Sequence, residues 1–352
     1  LKINIKKYFI MKKIIIIGAG AMGAAFAVPC IENQNEVTLV GTHLEGDLIK
    51  NIKSNNNFHP ALNIELPSKL KIEKFEKLQS ILEGKVDIIV AGVSSIGVEW
   101  FVQQIVSSYK KNLPIILLTK GLAIEENELM TLSDKIKKLL RKKGHTEINV
   151  SAIKGPCLAA GLANKMRTGT VIANPDIKET ELLKKIISTD YYSTEISEDL
   201  TGVELAGAIK NIYSMLIGAS EGLSNSEASK EIQSRYYLNT SASLIHRSIS
   251  EMVEFVSHYG GRAETVYGLA GLGDLYVSAI GGRNSLMGKY LGQGYLYKDA
   301  KEKFMKNVTV EGAQLALEIG PKILQELNPK HFPLMFSMLN TICENKKLEI
   351  KW

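Results

Sequence analysis

The sequence predicts two units, a doubly wound, mostly parallel α/β sheet over residues 11–197 and an all-α unit over 198–352. Three observations carry that expectation. In the first half, short β-branched runs alternate with longer stretches of mixed polar and apolar residues. That is the order of a parallel sheet with helical crossovers. Several of the runs, such as VDIIVAGV, are apolar almost throughout, as strands covered on both faces are. After about residue 197 the strand pattern stops and helical periodicity takes over.

Taken in order, the expected strands are KIIIIG (13–18), EVTLVG (36–41), VDIIVAGV (86–93), LPIILLT (113–119), EINVSAI (147–153), GTVIAN (169–174) and YYSTEI (191–196). Helices are expected at 97–111, 126–143 and 176–188, and the polar stretch NIKSNNNFHPALN (51–63) reads as a loop. In the second unit, glycine clusters at 218–222, 260–261, 268–273 and 281–282 break the helical pattern. There LAGAIKNIYSMLIGA (205–219) carries one charge, Lys210, in a segment apolar enough to be buried. An unpaired ammonium is costly in such a place. Lys210 either snorkels to solvent or does chemistry.

The 352 residues carry a net charge of +6, spread as scattered lysines without an arginine-rich or aromatic-interleaved tract. Nucleic acid is disfavoured as a partner, and a small anionic substrate suits the charge. Cys30, Cys157 and Cys343 are odd in number and widely spaced, and the histidines show no ligand spacing. A reducing compartment and no metal are expected. KKIIIIGAGAMGAAFAVPC could pass for a secretory signal or lipid anchor, but Gly18, Gly20, Gly23 and Pro29 make a poor spanning helix. No membrane anchor is expected. Residues 1–10 receive no function.

IIIIGAGAMGAAFA places G-x-G-x-x-G at Gly18, Gly20 and Gly23, after an apolar strand and opening a helix. In that context the pattern is a Rossmann dinucleotide turn. The first glycine permits the tight turn, the second admits the pyrophosphate, and the third lets helix and strand pack. Ala21 and Met22 then stand at the helix N-terminus, whose N–H groups suit an anion. The acid expected about twenty residues on is missing from the strand end, where Val40-Gly41-Thr42-His43 stand, with Glu45 slightly late. No arginine stands there for a 2′-phosphate, so NAD and NADP remain open. Pro29 is expected to bend or shorten the helix.

Lys120 follows the strand IILLT and is aimed at the crevice beyond the strand ends. In AIKGPCLAAG, Pro156 fits a helix start, and Gly155 and Cys157 could offer N–H groups to an anion. Cys157 could instead be a nucleophile, although no partner histidine is implied. In GLAGLGDLYVSAIGGRNSLMG, Asp274 is a lone acid in an apolar, glycine-rich segment, a natural partner for Lys210. Arg283 and Asn284 follow two glycines, and an arginine suits bidentate phosphate contact.

GAGAMG, TKGL, KGPCLA, ELAGAIKNIYSMLIGASEG, NTSASLIHRSISEM, GLAGLGDL, GRN and VEGA occur in this order, from about Met11 to beyond Glu311. Together they resemble the bacterial NAD(P)-dependent glycerol-3-phosphate dehydrogenases. The resemblance implies a Rossmann domain followed by a helical domain, with the site between them. It implies reduction of dihydroxyacetone phosphate to sn-glycerol 3-phosphate for phospholipid synthesis, in the cytoplasm, by a homodimer. By that resemblance Lys210 is the catalytic lysine, Asp274 the acid beside it, and Lys120 the lysine reaching substrate and cofactor. Gly155, Cys157, Gly282, Arg283 and Asn284 fall at substrate positions. Gly18, Gly20, Ala21, Met22, Gly23, Ala159, Arg283 and Glu311 fall at cofactor positions. The chain departs from the family at Met22, usually aromatic, and at Cys157 and Gly282, usually serine. Thr42-His43 stand where arginine is common, and the loop from GLGDL to GRN is short. Two rival readings remain: a related dehydrogenase acting on a keto or hydroxy acid, such as a ketopantoate reductase, and a non-catalytic dinucleotide sensor.

Overall fold

The computed structural model describes residues 11–227 and 230–351, without the side chains of 225–236. The first unit opens on β1 (Lys13–Ile17), α1 (Ala21–Glu32) and β2 (Glu36–Val40), the strand–turn–helix–strand that the glycine motif predicts. Then follow α2 (Gly46–Ser54), β3 (Phe58–His59), β4 (Ile64–Glu65), β5 (Lys71–Glu73), α3 (Leu78–Glu83), β6 (Ile88–Ala91), α4 (Val98–Ile105) and β7 (Pro114–Leu117). A hairpin, β8 (Leu122–Glu125) and β9 (Glu128–Thr131), precedes α5 (Leu132–Arg141). The unit closes with β10 (Asn149–Lys154), α6 (Ala159–Ala163), β11 (Thr168–Ala173), α7 (Ile177–Ile187) and β12 (Tyr192–Ser197).

Eight strands form one sheet in the order β12-β11-β10-β7-β6-β1-β2-β5. Only the β10–β11 pair is antiparallel. Alternate residues of β1 enter opposite layers, Ile14 and Ile16 on one side and Ile15 and Ile17 on the other. Two covered faces account for strands that read as continuous apolar runs.

Three local expectations are corrected. The polar stretch 51–63 is not all loop, because α2 runs to Ser54 and β3 and β4 begin a small hairpin beyond it. Asn56, Asn57 and Asn63 take positive φ there, a region asparagine tolerates better than most residues. The helix expected over 126–143 begins only at Leu132, since Glu126 and Asn127 both have positive φ and turn a two-residue hairpin. Pro29 does not shorten α1, which continues to Glu32.

The second unit contains α8 (Leu200–Glu227), α9 (Lys230–His258), a 3₁₀ turn (Ala263–Tyr267), a π-helical turn (Leu269–Gly273), α10 (Asp274–Gly281), α11 (Arg283–Gly292), α12 (Tyr297–Phe304), α13 (Glu311–Glu326) and α14 (Pro333–Cys343). Asp199 starts α8 firmly: its carboxylate accepts from the Gly202 and Arg262 N–H groups, both at 2.9 Å, and from the Thr265 hydroxyl at 2.6 Å. The cluster at 218–222 does not interrupt α8. Gly218 and Gly222 lie on the Ser285 and Lys289 backbone of α11, and Gly288 and Gly292 of α11 lie on α8 so closely that a Cβ on Gly288 would stand 1.8 Å from the Met215 carbonyl oxygen. Residues 205–219 are buried throughout, the core of the helical unit. Among the described residues no helix is long and apolar enough to cross a membrane.

Candidate active site

The carboxyl ends of β1, β6, β7 and β10 face α8, α10, α11 and α13 across a cleft of about 720 Å³. A parallel sheet offers its ligand crevice at that edge. Gly18 turns the chain with φ +110°, and a Cβ there would stand 2.5 Å from the Gly92 carbonyl oxygen. A Cβ on Gly23 would meet the Gly18 carbonyl at 2.1 Å, so α1 lies directly on the turn. Gly20 has open space, its nearest neighbour being a Glu45 carboxylate oxygen at 3.7 Å. No side chain caps α1, and Ala21 and Met22 of its first turn line the cleft. Uncapped N–H groups beside an open glycine fit a dinucleotide pyrophosphate.

At the cleft floor two lysines share one carboxylate. Lys210 Nζ donates to Asp274 Oδ1 at 2.9 Å, and Lys120 Nζ lies 2.6 Å from Asp274 Oδ2. Lys210 and Asp274 are each 3% exposed at the side chain and Lys120 is 18% exposed. Lys210 does not snorkel to solvent. Its ammonium also donates to Ser278 Oγ. Burial pulls the Lys210 ammonium down to about 8, helped by the Lys120 charge and opposed by Asp274. Burial also pulls on Lys120, but the Asp274 carboxylate outweighs it and holds that ammonium above its ordinary value. Two lysines of one site are thereby driven apart, as a proton donor and a fixed charge are.

At the mouth Arg283 Nη2 donates to Glu311 Oε1 at 2.9 Å, with both side chains about half exposed. Gly282 caps α11 by backbone alone, and Gly282, Arg283 and Asn284 line the cleft at that helix N-terminus. Asn284 is buried; its Nδ2 donates to Asn211 Oδ1 and its Oδ1 accepts from the Gly312 N–H, each at 2.9 Å. These bonds tie α11, α8 and α13 together and leave one N–H for a ligand.

Cys157 and Ala159 line the cleft, whereas Gly155 lies behind it, its carbonyl 3.4 Å from Lys120 Nζ. Cys157 does not offer its N–H, which donates to the Gly155 carbonyl at 2.8 Å. Burial pushes its thiol up to about 11, against a nucleophilic role. Pro156 does not open a helix, because α6 starts at Ala159.

Three polar residues at or beside the cleft escaped the sequence reading. Ser278 stands four residues after Asp274 on the same face of α10, a spacing that could have pointed to it. Asn211 follows Lys210 directly. Lys154, 2% exposed, packs its stem on Gly207, where a Cβ would lie 3.2 Å from it, and donates to the Leu117 carbonyl at 3.3 Å.

Comparison with known proteins points to one family. Residues 13–180 match the family described as NAD-dependent glycerol-3-phosphate dehydrogenase N-terminus, and residues 199–350 match its C-terminus. An NADP(+)-dependent glycerol-3-phosphate dehydrogenase of Archaeoglobus fulgidus is 32% identical, covering 95% of this chain and 96% of the relative. A glycerol-3-phosphate dehydrogenase [NAD(P)+] of Mesoplasma florum is 31% identical over 93% of each. The crystal structure of glycerol-3-phosphate dehydrogenase from Coxiella burnetii superposes with a TM-score of 0.80 at 26% identity, covering 96% of both chains. A ketopantoate reductase from Ralstonia eutropha superposes with a TM-score of only 0.54 at 13% identity, a likeness of fold alone. With a glycine turn, a cleft-floor carboxylate holding two lysines, and relatives alike along nearly the whole length, this chain belongs to the glycerol-3-phosphate dehydrogenase family.

Proposed function

We propose that the chain reduces dihydroxyacetone phosphate to sn-glycerol 3-phosphate, reversibly, with NAD(H) or NADP(H), and so supplies glycerophospholipid synthesis. The observation that carries the reading is Asp274 held between Lys210 and Lys120 at the cleft floor. Gly18, Gly20 and Gly23 with the Ala21 and Met22 N–H groups would hold the pyrophosphate, and Ala159, Arg283 and Glu311 would border the remainder. When bound, the reduced nicotinamide supplies a hydride to the substrate carbonyl carbon.

The chain's own residues do the rest. Lys210 gives its proton to the carbonyl oxygen as that oxygen gains charge. Asp274 keeps Lys210 aimed, and Lys120 places a lasting positive charge beside the developing alkoxide. Arg283, Asn284 and the α11 N-terminus grip the phosphate away from the reacting carbon, with Cys157 and Gly282 shaping the wall between and Gly155 behind it. A remote grip of this kind turns binding energy into orientation. Residues 11–197 act as the dinucleotide unit and 198–352 as the substrate unit, in a cytoplasmic homodimer.

The test is initial rate at 340 nm with dihydroxyacetone phosphate and with ketopantoate, each with NADH and NADPH. Turnover confined to the ketone phosphate is expected; a preference for the keto acid overturns the reading. Light scattering should give twice the chain mass at micromolar concentration, and cell fractionation should leave the protein in the supernatant.

A further inference from the structure

We propose that Glu45 reads the adenosine ribose and makes this chain select NAD(H) over NADP(H). The inference rests on the dinucleotide reading of the glycine turn and deepens it. Glu45 lies in the turn between β2 and α2, later than an acid at the strand end would stand. Its side chain nevertheless returns to the glycine turn. Oε2 accepts from the Ala19 N–H at 2.9 Å and from the Thr42 N–H at 2.7 Å. Oε1 lies 3.7 Å from where a Cβ on Gly20 would stand, on the open side of the turn. A carboxylate oxygen there accepts a hydrogen bond from a ribose 2′-hydroxyl and repels a 2′-phosphate.

Repulsion gives selectivity only if neither party can retreat, and here both are held. Glu45 would forfeit two charge-assisted hydrogen bonds by swinging away. The turn cannot recede either. The carbonyl of Ala19 is bonded to His59 Nε2 at 2.9 Å, and His59 is 1% exposed. Gly18 is already wedged against Gly92. Nor does the adjoining segment supply a compensating cation. Residues 41–49, GTHLEGDLI, contain no lysine or arginine, and Asp47 adds a second negative charge. The His43 ring packs on Trp100, centroids 5.0 Å apart, and on Phe75 at 6.2 Å. The proposal sets this chain apart from the Archaeoglobus relative named for NADP(+).

The experiment titrates the purified protein, without substrate, with NADH and with NADPH, following quenching of tryptophan fluorescence. NADH should bind at least tenfold more tightly. Glu45→Gln keeps an acceptor for the Ala19 and Thr42 N–H groups but removes the charge. It should bring the two dissociation constants together, chiefly by tightening NADPH. Glu45→Ala, which releases the turn, should weaken both. Equal or tighter NADPH binding by the unaltered protein, or an unchanged ratio in Glu45→Gln, overturns the proposal. Failure to bind either dinucleotide overturns it together with the cofactor reading. Because no ketone is present, an error in the substrate assignment leaves the result untouched.

Discussion

Lys210 and Lys120 share a carboxylate, yet its charge outweighs burial at Lys120 and not at Lys210, where the neighbouring Lys120 charge adds to burial. Lys210, with its ammonium brought down to about 8, is poised to give and take a proton near neutral pH. Reduction needs its charged form, so kcat/KM for reduction should fall above about pH 8. Oxidation of glycerol 3-phosphate needs the neutral amine and should rise through the same pH. Lys210→Met keeps the apolar stem; it should fold, bind cofactor, lose about 10²–10⁴ in kcat and lose that pH limb. A Lys210→Met protein with near-normal kcat would remove the residue from the chemistry. Arg283→Ala should instead cost about ten- to hundredfold in kcat/KM for dihydroxyacetone phosphate, the value of one charge-assisted contact. Unphosphorylated dihydroxyacetone should scarcely notice it. Lys210, Asp274 and Lys120 are legible in the sequence because each is a charge in an apolar or glycine-rich segment. Ser278 is not legible in the same way, since a helical serine carries no such contrast. The Glu311 contact of Arg283 joins residues 28 apart, which no local pattern reveals.

At the scale of elements, glycine has two meanings that sequence does not separate. At 281–282 the pair ends α10 and starts α11. At 218–222 the same residue type continues a helix and lets another helix touch its backbone. The distinction depends on Gly288 and Gly292, about seventy residues away in sequence. The hairpin at 122–131 was hidden for a related reason: its turn residues Glu126 and Asn127 suit a helix or a turn, and packing decides between them. The inner strands were legible because burial on both faces leaves an apolar run in each, whereas β12 at the sheet edge is buried only at alternate residues in its first half. The short edge strand β5 carries no such mark. Gly288→Ala tests the α8–α11 crossing. Its Cβ would collide with a carbonyl oxygen rather than with a side chain that can turn aside. The helices must separate, at a cost of about 1–3 kcal/mol. Tm should fall, and KM for dihydroxyacetone phosphate should rise more than the cofactor Kd, because α11 carries Arg283 and Asn284. An unchanged Tm would show that the crossing is looser than the contact implies.

Across the whole molecule the sheet and the helical unit meet along β10 and α8, and that junction holds charge in a dry place. Lys154 at the end of β10 is buried against Gly207 of α8, three residues before Lys210. Glu204, one turn of α8 earlier, is fully buried and accepts from the Ser133 N–H at 3.2 Å. Burial raises the Glu204 carboxyl and brings the Lys154 ammonium down to about 8, the latter opposed by Glu204 and aided by Lys120. Such groups place a pH dependence in the stability of the whole chain. For Lys154 the sign follows from which state binds more protons. Between about 8 and the ordinary value of 10.5 the folded chain has released the proton while the unfolded chain still holds it. In that window folding grows more favourable with pH, by at most about 1.4 kcal/mol per pH unit from this group. Lys154→Met preserves the stem that fills the space beside Gly207 and removes the titration. The variant's Tm relative to the unaltered protein should therefore be highest near pH 7 and decline steadily from pH 8 to 10.5. Taking the difference between the two proteins cancels the tyrosines and cysteines that titrate in the same range in both. A difference in Tm that stays flat across that window would mean that Lys154 keeps its proton in the folded chain, held by Glu204 across the junction.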